Sequence, residues 1–483
     1  MARRNKHFLP SREPFRHDEK LQLHHVDGAF AFLNPTRGVF DYPATPKDDL
    51  SQKQQSDHQQ AHPSHPPHES SPPLKTYPTS RVQFLWRSRD NRKGRHALLV
   101  RRPSSDSERK AARFLAPQRT SHPRQVLRNV WRTFTYFPVW DISWLVAFIF
   151  TLGSCVWVIN GFFVWLPVVA PSTEFNNEIL YGGGITAFIG AIVFFECGSI
   201  LLIFEAVNSE NSGCFGWAVE QLVDHEHGGL HTGNATQFRI TPNKRHCRHH
   251  HQNKHNFVGK PSSKTIIQPS DDKTISSSSP DTSPSQSPPA STSKTQPTPN
   301  RSWQWFPSMH ALRTHYLHEL GFLAGASQLF GATIFGISGI TALPGINDHL
   351  EPQYVLNAAY WIPQVIGGSG FIVSSSLYML ETQTKWYIPA PRILGWHIAF
   401  WNLIGAFGFT LCGALGMAYR NSGAQFQAGL ATFWGSWAFL IGSYLQLYEA
   451  LDKHPVEEVS SDEKFNDLAT TAKSSSSKAE VDV

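Results

Sequence analysis

One pattern recurs three times along this chain, each time across a pair of apolar segments, and it constrains the fold more than any other feature. The second segment of each pair carries Phe-x3-Ser-x-Leu-x3-Glu: Phe195, Ser199, Leu201 and Glu205; Phe371, Ser375, Leu377 and Glu381; Phe439, Ser443, Leu445 and Glu449. The first carries small-aromatic-x8-Gly-x7-Gly: Ser143, Trp144, Gly153 and Gly161; Gly321, Phe322, Gly331 and Gly339; Gly395, Trp396, Gly405 and Gly413. An internal repeat sets the architecture ahead of local propensity. Here it predicts three copies of a two-helix unit.

Charge placement says where those helices belong. No charged residue lies between Asp141 and Glu174, Glu319 and Asp348, Glu351 and Glu381, Arg392 and Arg420, or Arg420 and Glu449. The block Ile179 to Phe204 contains one charge, Glu196. About 20 apolar residues cross roughly 30 Å of hydrocarbon, and there a single segment satisfies its backbone only as a helix. We therefore expect spans near 142–168, 182–205, 320–343, 355–381, 393–417 and 425–449. The expected fold class is an all-α membrane protein. Its six transmembrane helices form three parallel two-helix repeats that close a pseudo-three-fold ring, and its long cytosolic segments are disordered.

The expected domain plan is a disordered region over 1–120, a basic amphipathic interfacial helix over 121–141, and repeat 1 over 142–206. A largely disordered loop (207–305) follows, with a Ser/Thr/Pro tract from Pro261 to Pro299. A juxtamembrane helix with repeat 2 (306–384), repeat 3 (385–450) and a disordered tail (451–483) complete it. Fifteen Arg and Lys between Arg81 and Arg132 face only Asp90, Asp106 and Glu108. Basic residues stay cytosolic, so both termini are expected there. The membrane is not specified, and no cleavable signal peptide is expected.

Between Arg124 and Phe137, Val126, Leu127, Val130, Trp131 and Phe134 share a helical face, and Arg124, Arg128 and Arg132 follow at intervals of four. That pattern predicts a helix lying on the bilayer, with anionic lipids as partners of the three arginines. No nucleic acid partner is expected; cytosolic protein partners are unspecified.

The candidate intramembrane site is Glu196, Gln328, Gln364 and Asn402. Glu196 is the only acid well inside a span, where a charge needs a partner or water, and its repeat equivalents are Ile372 and Leu440. Pro363 predicts a kink and a freed carbonyl in the fourth span. The three repeated glutamates form a candidate acidic ring at the inner end, opposed by helix dipoles. Lys385 and Lys453, four residues beyond Glu381 and Glu449, are their expected local partners. Gly153, Gly161, Gly331, Gly339, Gly405 and Gly413 are expected to pack helices. The histidine clusters at 224–231 and 246–255 match no closed metal-site spacing, so no metal and no cofactor is expected. The five cysteines imply no disulfide framework. No nucleophile triad, phosphate loop or HExxH is present, and no enzyme is expected.

The segments Gly321–Gly345, Tyr360–Gln383 and Phe433–Tyr448 resemble a family of filamentous-fungal multi-pass integral membrane proteins. The resemblance covers the six spans, implies a six-helix membrane domain and brings no substrate. The layout is also similar to that of mitochondrial carriers, but their Pro-x-[Asp/Glu]-x-x-[Lys/Arg] signature is missing from every odd span. The expected function is a cation- or proton-coupled transporter or channel-like protein with Glu196 near its path. The alternative is a non-transporting scaffold or signalling protein acting through its cytosolic segments.

Overall fold

The computed structural model describes residues 22–41, 82–95, 97–101, 119–209, 211–214 and 303–459. Apart from Trp303, these lie in one compact unit, Met1–Gly216 with Gln304–Val483.

Six long helices dominate. α3 (Ile142–Val169) starts at Asp141, whose side chain accepts from Ser143 N–H at 2.9 Å. α4 (Glu178–Val207) alternates α-helical turns with two wider π-helical stretches, Glu178–Gly183 and Ile189–Glu196. α6 (Leu320–Thr341), α7 (Ile362–Thr382), α8 (Leu394–Gly416) and α9 (Ser422–Leu451) follow. Their contacts run α3–α4–α6–α7–α8–α9 and back to α3, which closes a ring. Among the described residues, four helices, α3, α4, α6 and α8, are long and apolar enough to cross a membrane. α7 and α9 match them in length but carry more Ser, Gln and Thr.

Small residues set the helix spacing. Gly153, Gly331 and Gly405 lie against Phe194, the Gly367–Gly370 turn and Phe439, each on the next helix of the ring. Gly161, Gly339 and Gly413 lie against Phe433, Ala191 and Val365, each on the preceding one. α6 and α7 approach closely: a Cβ on Gly370 would come 2.7 Å from Gly331 Cα. Ahead of α7 the helical run from 353 widens into a π-helical turn, Asn357–Trp361, and Pro363 sits in the first turn of α7. The carbonyl that Pro363 cannot use, on Ala359, accepts from Thr341 Oγ1 at 2.9 Å.

Two expectations fail at one end of the ring. Residues inside 1–120 and 451–483 are not all irregular, and the fold is not all-α. β1 (Gln22–Asp27), β2 (Arg37–Asp41), β3 (Val82–Arg87), β4 (Ala97–Arg101) and β5 (Val456–Val459) form a sheet in that order. The first three pairings are antiparallel, and β5 joins β4 in parallel. A short helix, α1 (Ser88–Arg92), links β3 towards β4. The remaining parts of both segments, and most of 207–305 with its histidine clusters, lie outside the described residues.

α2 (Pro123–Thr135) occupies the expected amphipathic segment. It turns Asn129 and Thr133 inward, with Thr133 Oγ1 3.4 Å from the Tyr444 hydroxyl of α9, and leaves Leu127, Trp131 and Phe134 exposed. The juxtamembrane helix, expected over 309–320 and continuous with the third span, is shorter. α5 (Met309–Thr314) is capped by Ser308 at 3.1 Å from Ala311 N and breaks at His315 before α6 begins.

Candidate functional site

Six aromatic side chains, one from each long helix, fill the centre of the ring. Phe195, Phe371 and Phe439 form one triangle, with ring centroids 5.8, 5.6 and 6.4 Å apart. Trp157, Phe335 and Phe409 form a second, at 5.7, 4.7 and 5.7 Å. The two layers touch through Trp157–Phe195, Phe335–Phe371 and Phe409–Phe439, at 6.0, 5.6 and 5.3 Å. Edge-to-face and tilted contacts at these separations are favourable ring geometries, about 0.5–1.5 kcal/mol per pair.

A cavity lies on either side of this aromatic plug, and all six helices line both. The larger, about 610 Å³, opens at the end away from the sheet; its walls include Trp157 and Phe335. The smaller, about 50 Å³, lies between the plug and the sheet end and is walled by Phe195, Phe439, Gln328, Asn402, Glu205 and Lys93 among others.

The small chamber ends at the three repeated glutamates, which stand at the C-terminal ends of α4, α7 and α9. Helix dipoles add negative potential to three carboxylates there. The answering charge comes from α1 and the two turns after it, in the sequence Ser88-Arg-Asp-Asn-Arg-Lys-Gly-Arg95. Arg92 grips Glu381 with two bonds, Nη1 to Oε1 at 2.6 Å and Nη2 to Oε2 at 2.8 Å, and Ser88 Oγ donates to the same carboxylate at 2.7 Å. Arg89 grips Glu449 in the same way, Nε to Oε1 at 3.1 Å and Nη2 to Oε2 at 2.7 Å. Arg95 reaches Glu449 at 3.0 Å and Asp90 at 2.7 Å. Lys93 Nζ lies 3.5 Å from Glu449 Oε2. Glu205 is fully buried, and neither of its carboxylate oxygens makes a hydrogen bond.

Four cations, Arg89, Arg92, Lys93 and Arg95, thus meet four acids, Asp90, Glu205, Glu381 and Glu449, with a formal charge of zero. Burial opposes the charge on the three arginines, but the facing carboxylates outweigh it and raise each pKa. At Lys93 burial wins over the pull of Glu205 and Glu449, and the pKa falls.

The repeat's small first position is explained at the same place. A Cβ at Gly321 would overlap the Arg92 guanidinium, and one at Gly395 would come 2.6 Å from Arg89 Nε. Those glycines leave room for the two arginines.

The expected local partners of the glutamates are therefore wrong. Lys453 pairs with Asp141 and donates to the Lys93 carbonyl at 2.8 Å. Lys385 lies over the Tyr387 ring. The acidic ring is not an open mouth either, because the basic segment covers it. Glu196 is also corrected. Its Oε1 accepts from Thr333 Oγ1 at 3.0 Å, and Thr333 lies on the exposed face of α6 with Phe330 and Ile337. Phe195 beside it points to the axis, and Glu196 is turned about 100° from it, half-buried, with Oε2 buried and without a hydrogen bond. The four candidate intramembrane residues separate accordingly. Gln328 and Asn402 line the small chamber, and Gln364 lines the large cavity and donates to the Phe409 carbonyl at 3.3 Å. Glu196 lines neither cavity. Among the described residues no group of three or more His, Cys, Asp or Glu could hold a metal ion.

No protein-family model matches this chain, and neither a curated protein nor a solved structure is similar to it.

Proposed function

We propose that the chain is a six-span, transporter- or channel-like membrane protein, seen here closed at its sheet end. The observation that carries this reading is the pair of cavities on one axis, lined by all six helices and separated by two layers of aromatic rings. Structural bundles need no such axis. A translocating bundle needs sites on each side of a barrier. In this reading α7 and α9 cross the membrane with the four more apolar helices, their polar residues turned to the axis, and the three pairs are parallel repeats. Basic residues before the first span that lie outside the ion-pair cluster, among them Arg119, Arg124, Arg128 and Arg132, support a cytosolic sheet end. The Arg89–Arg95 segment is then a cytosolic gate and the aromatic plug a second barrier.

The test is flux through the purified full-length protein in liposomes, with potassium, protons and small organic cations as permeants. The intact chain is expected to move one of them slowly. Phe371→Ala with Phe439→Ala, which opens one layer of the plug, is expected to raise the rate. No flux of any of these from either protein sinks the transport reading.

A scaffold reading has one observation in its favour: the sheet gathers segments from both terminal regions on the end of the bundle. Deleting residues 1–120 does not separate the two readings, because it strips Arg89 and Arg92 from buried carboxylates. A plug variant that abolishes flux without altering the cellular phenotype would favour the scaffold.

A further inference from the structure

The large cavity has a one-sided chemistry. Among the described residues no Lys, Arg, His or Asp lines it, and the one carboxylate there, Glu174, stands exposed at the rim. The surrounding loops and helix starts continue that bias: Glu174, Glu178, Asp348 and Glu351 face Arg420 alone over residues 170–183, 342–357 and 416–428. Field lines from such a rim concentrate cations at the mouth. Inside, six of the lining residues are aromatic, beside the amides and hydroxyls of Asn160, Ser338, Asn347, Gln364 and Thr432. Trp361 stacks on Tyr419 at 5.5 Å with a 28° tilt, Tyr360 packs edge-on to Trp361 at 4.3 Å, and Trp157 and Phe335 form the floor. The faces of Trp and Tyr attract cations, most strongly where water is excluded. At about 610 Å³ the cavity falls in the range of small-molecule sites and holds roughly 20 water volumes. Among the described lining residues an anion would find no positive side chain, and the uncharged amides and hydroxyls offer an inorganic cation no buried carboxylate to replace its hydration shell.

We infer that this cavity binds a bulky organic cation, a quaternary or tertiary ammonium with apolar substituents. The ammonium sits among the aromatic faces, and its approach is steered by Glu174 and the acidic rim. The inference rests on reading the axis as a pathway, and it names the class of molecule that pathway admits.

Calorimetric titration of the purified full-length protein in nanodiscs tests it. The probes are tetrapropylammonium, choline and 3,3-dimethyl-1-butanol, the uncharged isostere of choline. Both cations are expected to bind saturably, and the alcohol roughly tenfold more weakly than choline or worse. Glu174→Gln changes an exposed side chain and is expected to weaken cation binding a few-fold at low salt, with the alcohol unaffected. Tyr419→Leu, checked for an unchanged melting temperature, is expected to weaken both cations. Equal affinity for choline and the alcohol overturns the inference. So does the absence of saturable binding by either cation, or cation binding untouched by both substitutions. Uptake into liposomes is a separate readout: saturable, variant-sensitive binding without uptake removes the pathway and keeps the site. Potassium or proton flux with no organic cation bound does the reverse.

Discussion

Removing Arg92 should reveal how strongly the basic segment is bolted to the bundle. The Arg92–Glu381 pair makes two charge-assisted bonds of 2.6 and 2.8 Å, with side-chain exposures of 4% and 0%. Bonds to charged groups contribute about 1.5–3 kcal/mol each. Breaking a buried pair from one side costs about 3–5 kcal/mol, because the other charge stays buried. Arg92→Ala leaves Glu381 with Ser88 and the more distant Arg89; Glu381→Ala leaves Arg92 with Glu205. Each single change should therefore cost about 3–5 kcal/mol. The double variant removes both charges and should cost about as much as either alone, which leaves a coupling of about 3–5 kcal/mol. At about 2 °C per kcal/mol, each single variant should melt about 6–10 °C below the parent. The assay is thermal unfolding of the full-length protein in one detergent, run as a four-member cycle. Additive losses, with the double variant melting at the sum of the single shifts, would refute the pairing. So would an Arg92→Ala protein that melts within about 1 °C of the parent.

Three further outcomes follow from the same geometry. Gly321→Ala and Gly395→Ala each place a methyl on an arginine of the basic segment, so both should lower the melting temperature well beyond the loss for Gly345→Ala. Gly345 has a positive φ but nothing within 4 Å of a Cβ, so thermal unfolding of the three variants separates steric displacement from backbone strain. Burial first, and then repulsion from Lys453 and Arg95, pushes the His454 pKa down from 6.5 to about 4. The unfolded chain then binds a proton that the folded one refuses, so this contribution is intact above pH 6.5 and is lost as pH falls towards 4; His454→Gln should flatten that part of a stability–pH profile. Glu196→Gln should leave liposome flux unchanged, since Glu196 lines neither cavity; a flux change of about tenfold or more would return Glu196 to the pathway.

Much of this was legible in the sequence, but unevenly. Helix positions came from uncharged blocks, because lipid-spanning chemistry leaves long gaps between charges. The glutamates and glycines came from the repeat itself. The inner aromatic layer was also within reach: Trp157, Phe335 and Phe409 each stand four residues after the first glycine of their copy, an aromatic position the repeat motif does not include. The outcome at Glu196 inverts the usual inference from an intramembrane acid. Helical phase relative to Phe195 decides which way it points, and phase is read from packing. The sheet was hidden for a different reason. Its strands are short, β2 and β3 are separated by some forty residues, and β5 comes from the far end of the chain, so no hairpin signal marks them. Without the sheet, Arg89 to Arg95 look like topology signals when they are in fact the partners of Glu381 and Glu449.

The ion-pair cluster also sets an order of assembly. Arg95 leaves the ribosome long before its acceptor Glu449, 354 residues later. At 5–20 residues per second that gap is roughly 20–70 s. Through that interval Arg89 has no Glu449 to meet and Arg95 has only Asp90, while the chain from α3 to α8 is made. Only α9 supplies the last carboxylate, and only β5 after it completes the sheet. A chain cut short before α9 therefore leaves Arg89 without its carboxylate and Arg95 with Asp90 alone, so the lock at the sheet end closes only once α9 is in place.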